Sequence, residues 1–201
     1  MSLIDARHSA LLLVDLQTRL MPAIDRGAEV LAHAVRLADI ARELEVPIVG
    51  TEQNPAGLGP NDAAIYQRCG LVIPKMHFDA CVDGVVPLLK SRDGVAAEHI
   101  VLAGCEAHVC LLQTALGLLD RGLAVWVVAQ ASGSRTAENH ALAMQRLQRA
   151  GAVIVSVEMV AFEWLRTCEH RKLRQILKLL KEPLATAPLA TLPATAVATR
   201  A

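Results

Sequence analysis

A thiol, a carboxylate and an ammonium each stand just after an apolar run in this chain, a placement suited to acyl transfer. Cys110 closes Gly104-Cys105-Glu106-Ala107-His108-Val109-Cys110, directly behind the strand-like run 99–103. From Cys110 onward, Leu111, Leu112, Ala115, Leu116 and Leu119 recur at helical spacing. Asp15 follows Ala10-Leu11-Leu12-Leu13-Val14, and Lys75 follows Leu71-Val72-Ile73 with Pro74 between. A thiolate is the reactive form of cysteine, and a helix start with a cation nearby favours it. The sequence therefore predicts a Cys110 thiol titrating below its free value of about 8.5. A carboxylate beside it can take the proton and return it to a leaving nitrogen, while an ammonium stabilises both anions. Backbone N–H groups of Cys110 and of a residue in 104–107, Glu106 among them, are the candidate donors to a developing oxyanion. Losing one such donor typically costs about 100- to 1000-fold in rate.

Each residue has a plainer reading. Cys110 can be a small buried side chain in a helix–sheet interface. Asp15 can be an ordinary turn aspartate and Lys75 a solvated lysine. Cys105, His108 and Cys110 can be read as metal ligands, but no second ligand pair at zinc-site spacing accompanies them.

The elements that would position these groups alternate between strand and helix, the signature of a parallel sheet covered on both faces. Strands are predicted at 10–14, 48–49, 71–73, 99–103, 125–128 and 153–157. Residues 30–44 carry an amphipathic stripe, Val30, Ala34, Leu37, Ala41 and Leu44. Further helices are expected at 82–90, 108–120, from Thr136 as a cap, and at 160–168 and 171–180. The expected architecture is α/β, a three-layer αβα sandwich on a mostly parallel six-stranded sheet, occupying residues 1–181. Residues 182–201, nearly all Ala, Thr, Pro and Leu, read as a disordered or loosely docked tail. In such sheets ligands bind outside the carboxyl ends of the strands, so three ionisable residues at strand exits point to one pocket.

Three groups of residues carry a resemblance: Leu12-Leu13-Val14-Asp15-Leu16-Gln17, Pro74-Lys75, and Gly104-x-x-Ala107-His108-Val109-Cys110. In this order they are similar to the isochorismatase-like cysteine hydrolases. The runs from Thr51-Glu52-Gln53-Asn54 to Gly57-Leu58-Gly59 and from Glu106 to Cys110 resemble the isochorismatase-domain branch. The resemblance covers about residues 10–181. It implies Cys110 as nucleophile, Asp15 as proton carrier, Lys75 as charge stabiliser, no cofactor and a cis peptide at Cys105–Glu106. Relatives of this fold associate as dimers or larger rings. Positions at strand exits and close behind Lys75 make a pocket of Gln17, Glu52, Gln53, His77, Phe78 and Ala107 expected, and His108 either contacts substrate or caps the helix start. Metal-dependent nicotinamidases of this superfamily carry Asp-x-His and a further His near the position of Glu52; this chain has none there, so no metal is expected. Gln130 stands where an aspartate is expected before Ser132-Gly133-Ser134-Arg135.

Bulk properties narrow the partners. Basic and acidic residues number 20 each, aromatics make up 2%, and no basic face attracts nucleic acid or a membrane surface. A small-molecule substrate is expected. No secretory signal and no membrane span is read, and five scattered cysteines fit free thiols in the cytoplasm. Apolar residues make up 53%, more than 201 residues hide comfortably in a monomer, so a homo-oligomer is expected, with Phe162 and Trp164 at the interface or in the core. The enzymatic reading is cleavage of an amide or carbamoyl C–N bond; the alternatives are a vinyl-ether hydrolase or a non-catalytic binding protein.

Overall fold

The computed structural model describes residues 3–186 and Leu189. Six strands form one sheet in the order β3-β2-β1-β4-β5-β6, every pair parallel. They are β1 (Ser9–Val14), β2 (Ile48–Gln53), β3 (Leu71–Lys75), β4 (His99–Cys105), β5 (Ala124–Gly133) and β6 (Val153–Val155). Helices are α1 (Gly27–Glu43), the short α2 (Pro55–Leu58) and α3 (Ala63–Tyr66), α4 (Cys110–Leu119), α5 (Ala137–Ala150), α6 (Val157–Leu165) and α7 (Leu173–Lys181).

The central strands read as unbroken apolar runs because both their faces are covered. Leu11, Leu13, Val101, Ala103, Trp126 and Val128 pack under α1, α6 and α7. The alternate residues Leu12, Val14, Ile100, Leu102, Val125 and Val127 pack under α4 and α5. This is the expected three-layer sandwich. Among the described residues no helix is long and apolar enough to cross a membrane.

Local chemistry explains the helix ends. Thr136 accepts from the Asn139 N–H at 3.2 Å and caps α5, and Gly151 closes it in the left-handed conformation. Ser156 caps α6 by accepting from the Met159 N–H at 3.1 Å.

The helix expected at 82–90 does not form. Residues 76–98 run irregularly, with a single 3-10 turn at Val86–Leu88. Pro87 lacks the N–H a helix needs, and Gly84 sits at φ +84°. The buried residues Ala80, Cys81, Val85, Leu89 and Ala97 cover the sheet here in place of a helix. The last helix, α7, ends at Lys181. The tail beyond it lies, apart from 182–186 and Leu189, outside the described residues.

Candidate active site

The sheet order reverses between β1 and β4, so their following loops diverge and leave a crevice above the sheet. Asp15 leaves β1 on one side, in the left-handed region at φ 51°. On the other side β4 leads through the cis Cys105–Glu106 peptide to α4, whose first residue is Cys110. The two backbones touch at Gly104. A Cβ there would lie 2.0 Å from the Val14 carbonyl oxygen, so any larger residue would push the strands apart.

The expected three residues are buried in one place. The Asp15 Oδ2 to Lys75 Nζ distance is 2.8 Å, with both side chains 0% exposed. This contact is an ion pair rather than an aligned hydrogen bond, and among the described residues Oδ2 has no other partner. Oδ1 accepts from the Thr51 hydroxyl at 2.7 Å. Lys75 Nζ also donates to Gln53 Oε1 at 2.6 Å, and that oxygen lies 3.8 Å from Cys110 Sγ. Carboxylate, ammonium, amide and thiol thus form one buried network.

The depressed thiol titration expected from the helix start is corrected here. Burial pushes the Cys110 thiol up to about 12, the negative charge of Asp15 adds to this, and Lys75 opposes it. Cys110 is only 5% exposed, so desolvation of the thiolate outweighs the helix terminus and the cation. Burial and the Asp15 charge thus favour the neutral form of the Cys110 thiol.

Two backbone donors are free. Among the described residues the N–H groups of Glu106 and Cys110 have no acceptor, whereas Ala107 N–H is taken by the Gly133 carbonyl at 2.6 Å. The free pair flanks the segment leading to the thiol.

The predicted pocket residues separate into different roles. Gln17 is fully buried and its amide mimics a peptide group. Its Oε1 accepts from the Gln53 N–H at 2.8 Å, and its Nε2 donates to the Gln53 carbonyl at 3.0 Å and the Gly59 carbonyl at 2.6 Å. All these bonds go to backbone, so Gln17 braces the site instead of lining it. Glu52 points to the opposite face of β2, accepting from the Asn61 N–H at 2.8 Å, because strand residues alternate. The Thr51 and Gln53 side chains face the thiol side. His77 and Phe78 have exposed side chains, and their backbone carbonyls take the Lys75 ammonium at 3.3 and 3.5 Å. The Asp83 carboxylate shapes this turn, accepting from the Met76 and His77 N–H groups and facing His77 Nδ1 at 3.0 Å. Ala107 is buried, and His108 Nδ1 lies 3.0 Å from the Ser134 hydroxyl.

Thr51 was absent from the predicted site. Its signal was available: it stands two residues before Gln53 at the same strand end, hence on the same face. Gln130 is also explained. Between Leu102 and Gly104 the β4–β5 register shifts, Leu102 facing Val127 and Gly104 facing Ser132. The bulge turns Gln130 outward, where its Oε1 accepts from the Val157 N–H at 3.1 Å at the start of α6.

Among the described residues, no three or more His, Cys, Asp or Glu side chains are grouped to hold a metal ion. Residues 9–159 match the isochorismatase domain. The chain belongs to the isochorismatase family of hydrolases. It is 35% identical to mouse isochorismatase domain-containing protein 2A over 92% of this chain and 88% of that protein. The structure of a Caenorhabditis elegans protein named MAR1 ribonuclease superposes with a TM-score of 0.83 at 31% identity, covering 95% of this chain and 100% of that one. The Escherichia coli YcaC product, described as an octameric hydrolase of unknown specificity, shares the fold with a TM-score of 0.76 at 22% identity, covering 90% of this chain and 88% of that one.

Proposed function

We propose that this isochorismatase-family chain is a metal-independent cysteine hydrolase that cleaves an amide or carbamoyl C–N bond in a small molecule. The observation that carries this reading is the fully buried Asp15–Lys75 pair, joined through Gln53 to Cys110 at the start of α4. In the first half-reaction the Cys110 S–H proton passes to Asp15 Oδ2 as sulfur attacks the carbonyl carbon. The oxygen gathers negative charge toward the Glu106 and Cys110 N–H groups. The C–N bond then breaks, and the nitrogen leaves with the proton Asp15 held, giving a thioester. Water attacks it, its proton returns through Asp15, and Cys110 recovers its S–H. Lys75 keeps one positive charge beside the carboxylate and the transient thiolate throughout.

The test is ammonia or amine release from a panel of small amides and carbamoyl compounds, with Cys110→Ala and Cys110→Ser beside the parent. Cys110-dependent release supports the proposal. Full turnover in Cys110→Ser would move the chemistry to vinyl-ether hydrolysis, which needs no thiol nucleophile. RNA cleavage that survives Cys110→Ala would move it toward the worm neighbour's named activity, although 20 basic against 20 acidic residues supply little attraction for a polyanion.

We also propose a cytoplasmic homo-oligomer. The aromatic turn near the carboxyl end divides: Trp164 is 3% exposed and belongs to the core, whereas Phe162 is 44% exposed beside exposed Met159 and Leu3. Phe162 and Met159 are offered to a second copy. Sedimentation at micromolar concentration checks this, with Phe162→Glu expected to lower the assembly state. A single 21.5 kDa species for the parent overturns it.

A further inference from the structure

The buried ammonium has more acceptors than protons. Lys75 Nζ lies 2.6 Å from Gln53 Oε1, 2.8 Å from Asp15 Oδ2, 3.3 Å from the His77 carbonyl and 3.5 Å from the Phe78 carbonyl. An ammonium donates only three hydrogen bonds. The shortest contact goes to a neutral amide and not to the carboxylate. That amide oxygen is also the acceptor facing Cys110 Sγ, at 3.8 Å.

Gln53 cannot turn its amide round. Its Nε2 donates to the Met76 carbonyl at 2.8 Å, one residue past Lys75. Its own N–H and carbonyl are held by Gln17. A flipped amide would set an NH2 against the ammonium and a carbonyl against a carbonyl, two repulsive contacts in place of two bonds. The β2–β3 register places Gln53 directly opposite Lys75, so the contact is built into the strand pairing.

We propose that Gln53 is a positioning residue for the hydrolytic chemistry, its Oε1 holding the Lys75 ammonium on Asp15 and accepting the Cys110 S–H until substrate arrives. This rests on the cysteine-hydrolase reading of the same site. While the amide oxygen engages the ammonium, less of that charge reaches the sulfur, and its lone pair favours S–H over thiolate. The titratable groups acting on the thiol are Asp15 from the β1 exit, Lys75 from the β3 exit and Cys105 from the end of β4, while Glu106 and His108 turn to Arg135 and Ser134; past Cys110, α4 carries none. Gln53 therefore links the site's cation to its nucleophile, and Gln17 links Gln53 to the scaffold.

The test is the pH midpoint of Cys110 alkylation, followed by peptide mapping, beside steady-state turnover. Gln53→Met keeps the length and removes the acceptor. Its midpoint should fall by about one pH unit or more, because the neutral thiol loses a partner and the ammonium turns to the sulfur. Its kcat should drop roughly 100-fold with KM little changed, as expected for a displaced catalytic group. Gln53→Glu keeps the oxygen and adds a negative charge, so its midpoint should rise. If Gln53→Met does not fold, the direction of the Gln53→Glu shift decides. An unmoved midpoint in either variant, or a KM increase alone, overturns the proposal and makes Gln53 a wall of the pocket. The alkylation readout needs no turnover, so its failure is distinct from turnover surviving in Cys110→Ala, which would sink the hydrolase reading instead.

Discussion

The exits of β1, β2 and β3 and the exit of β5 lie along the same edge of one sheet yet are built on opposite plans. At the first three, Asp15, Gln17, Thr51, Gln53 and Lys75 are buried and bonded to one another or to backbone. At the β5 exit, the Arg26–Glu29 pair reaches solvent around an open cavity of about 370 Å³ lined also by His33, Gln130 and His140. Charges held away from water keep their full interaction and their geometry; exposed pairs are screened and interchangeable. The contrast teaches where the chain tolerates change. Gln130 replaces an expected aspartate at the open exit and finds a helix N–H to bond.

The largest expected break in that contrast comes from Asp15→Asn. It removes the proposed proton carrier and leaves Lys75 buried without that countercharge. Turnover should fall by about 100- to 10,000-fold, and the fold should lose about 3–5 kcal/mol, read from urea midpoints. Arg26→Ala cuts an ion pair at the open exit, where Arg26 is 71% and Glu29 42% exposed, and should move the urea midpoint far less. Equal costs for the two would erase the distinction.

Buried thiols sharpen it next. Burial raises Cys69 to about 11 and Cys81 and Cys110 to about 12, and raises Cys105 as well. In the unfolded chain each ionises near about 8.5. Above that pH the unfolded state sheds protons that the folded state keeps, so stability is fully present below about 8.5 and is lost as pH climbs toward the folded values. Chemical denaturation between pH 8 and 11 should show a steady fall, smaller in Cys110→Ala. Brief alkylation at pH 6.5 should label exposed Cys168 first, with Cys110 labelling increasing as pH rises.

The smallest effect belongs to Gln130→Ala. Loss of its bond to the Val157 N–H should cost about 1 kcal/mol, measured by thermal unfolding, and leave turnover unchanged. A large activity loss would place the β5 exit inside the catalytic network.

Much of this was legible in the sequence because apolar runs and their punctuation report burial directly. The runs before Asp15, Lys75 and Cys110 became β1, β3 and β4 of one parallel sheet, and Thr136 became the cap it looked like. The irregular cover at 76–98 was not legible, since Val82, Val85, Val86 and Leu89 mimic a helical stripe while Gly84 and Pro87 forbid one. Gln17 and Glu52 looked like pocket residues because both stand at strand exits. Their actual partners, the Gln53 backbone and the Asn61 N–H, come from segments 36 and 9 residues away.

From its sequence alone this chain determined where six strands run, though β2, β3 and β5 extend past the predicted runs to Gln53, Lys75 and Gly133, that the sheet is parallel and sandwiched, and which thiol, carboxylate and ammonium can meet. Those properties follow from local periodicity and from the type of each side chain. Tertiary structure alone decided how they meet. Strand order set β1 beside β4, the β2–β3 register set Gln53 opposite Lys75, and the helix layers buried all four groups. Desolvation is a property of that assembled environment, and it reverses the titration that a helix start and a nearby lysine favour when read along the chain.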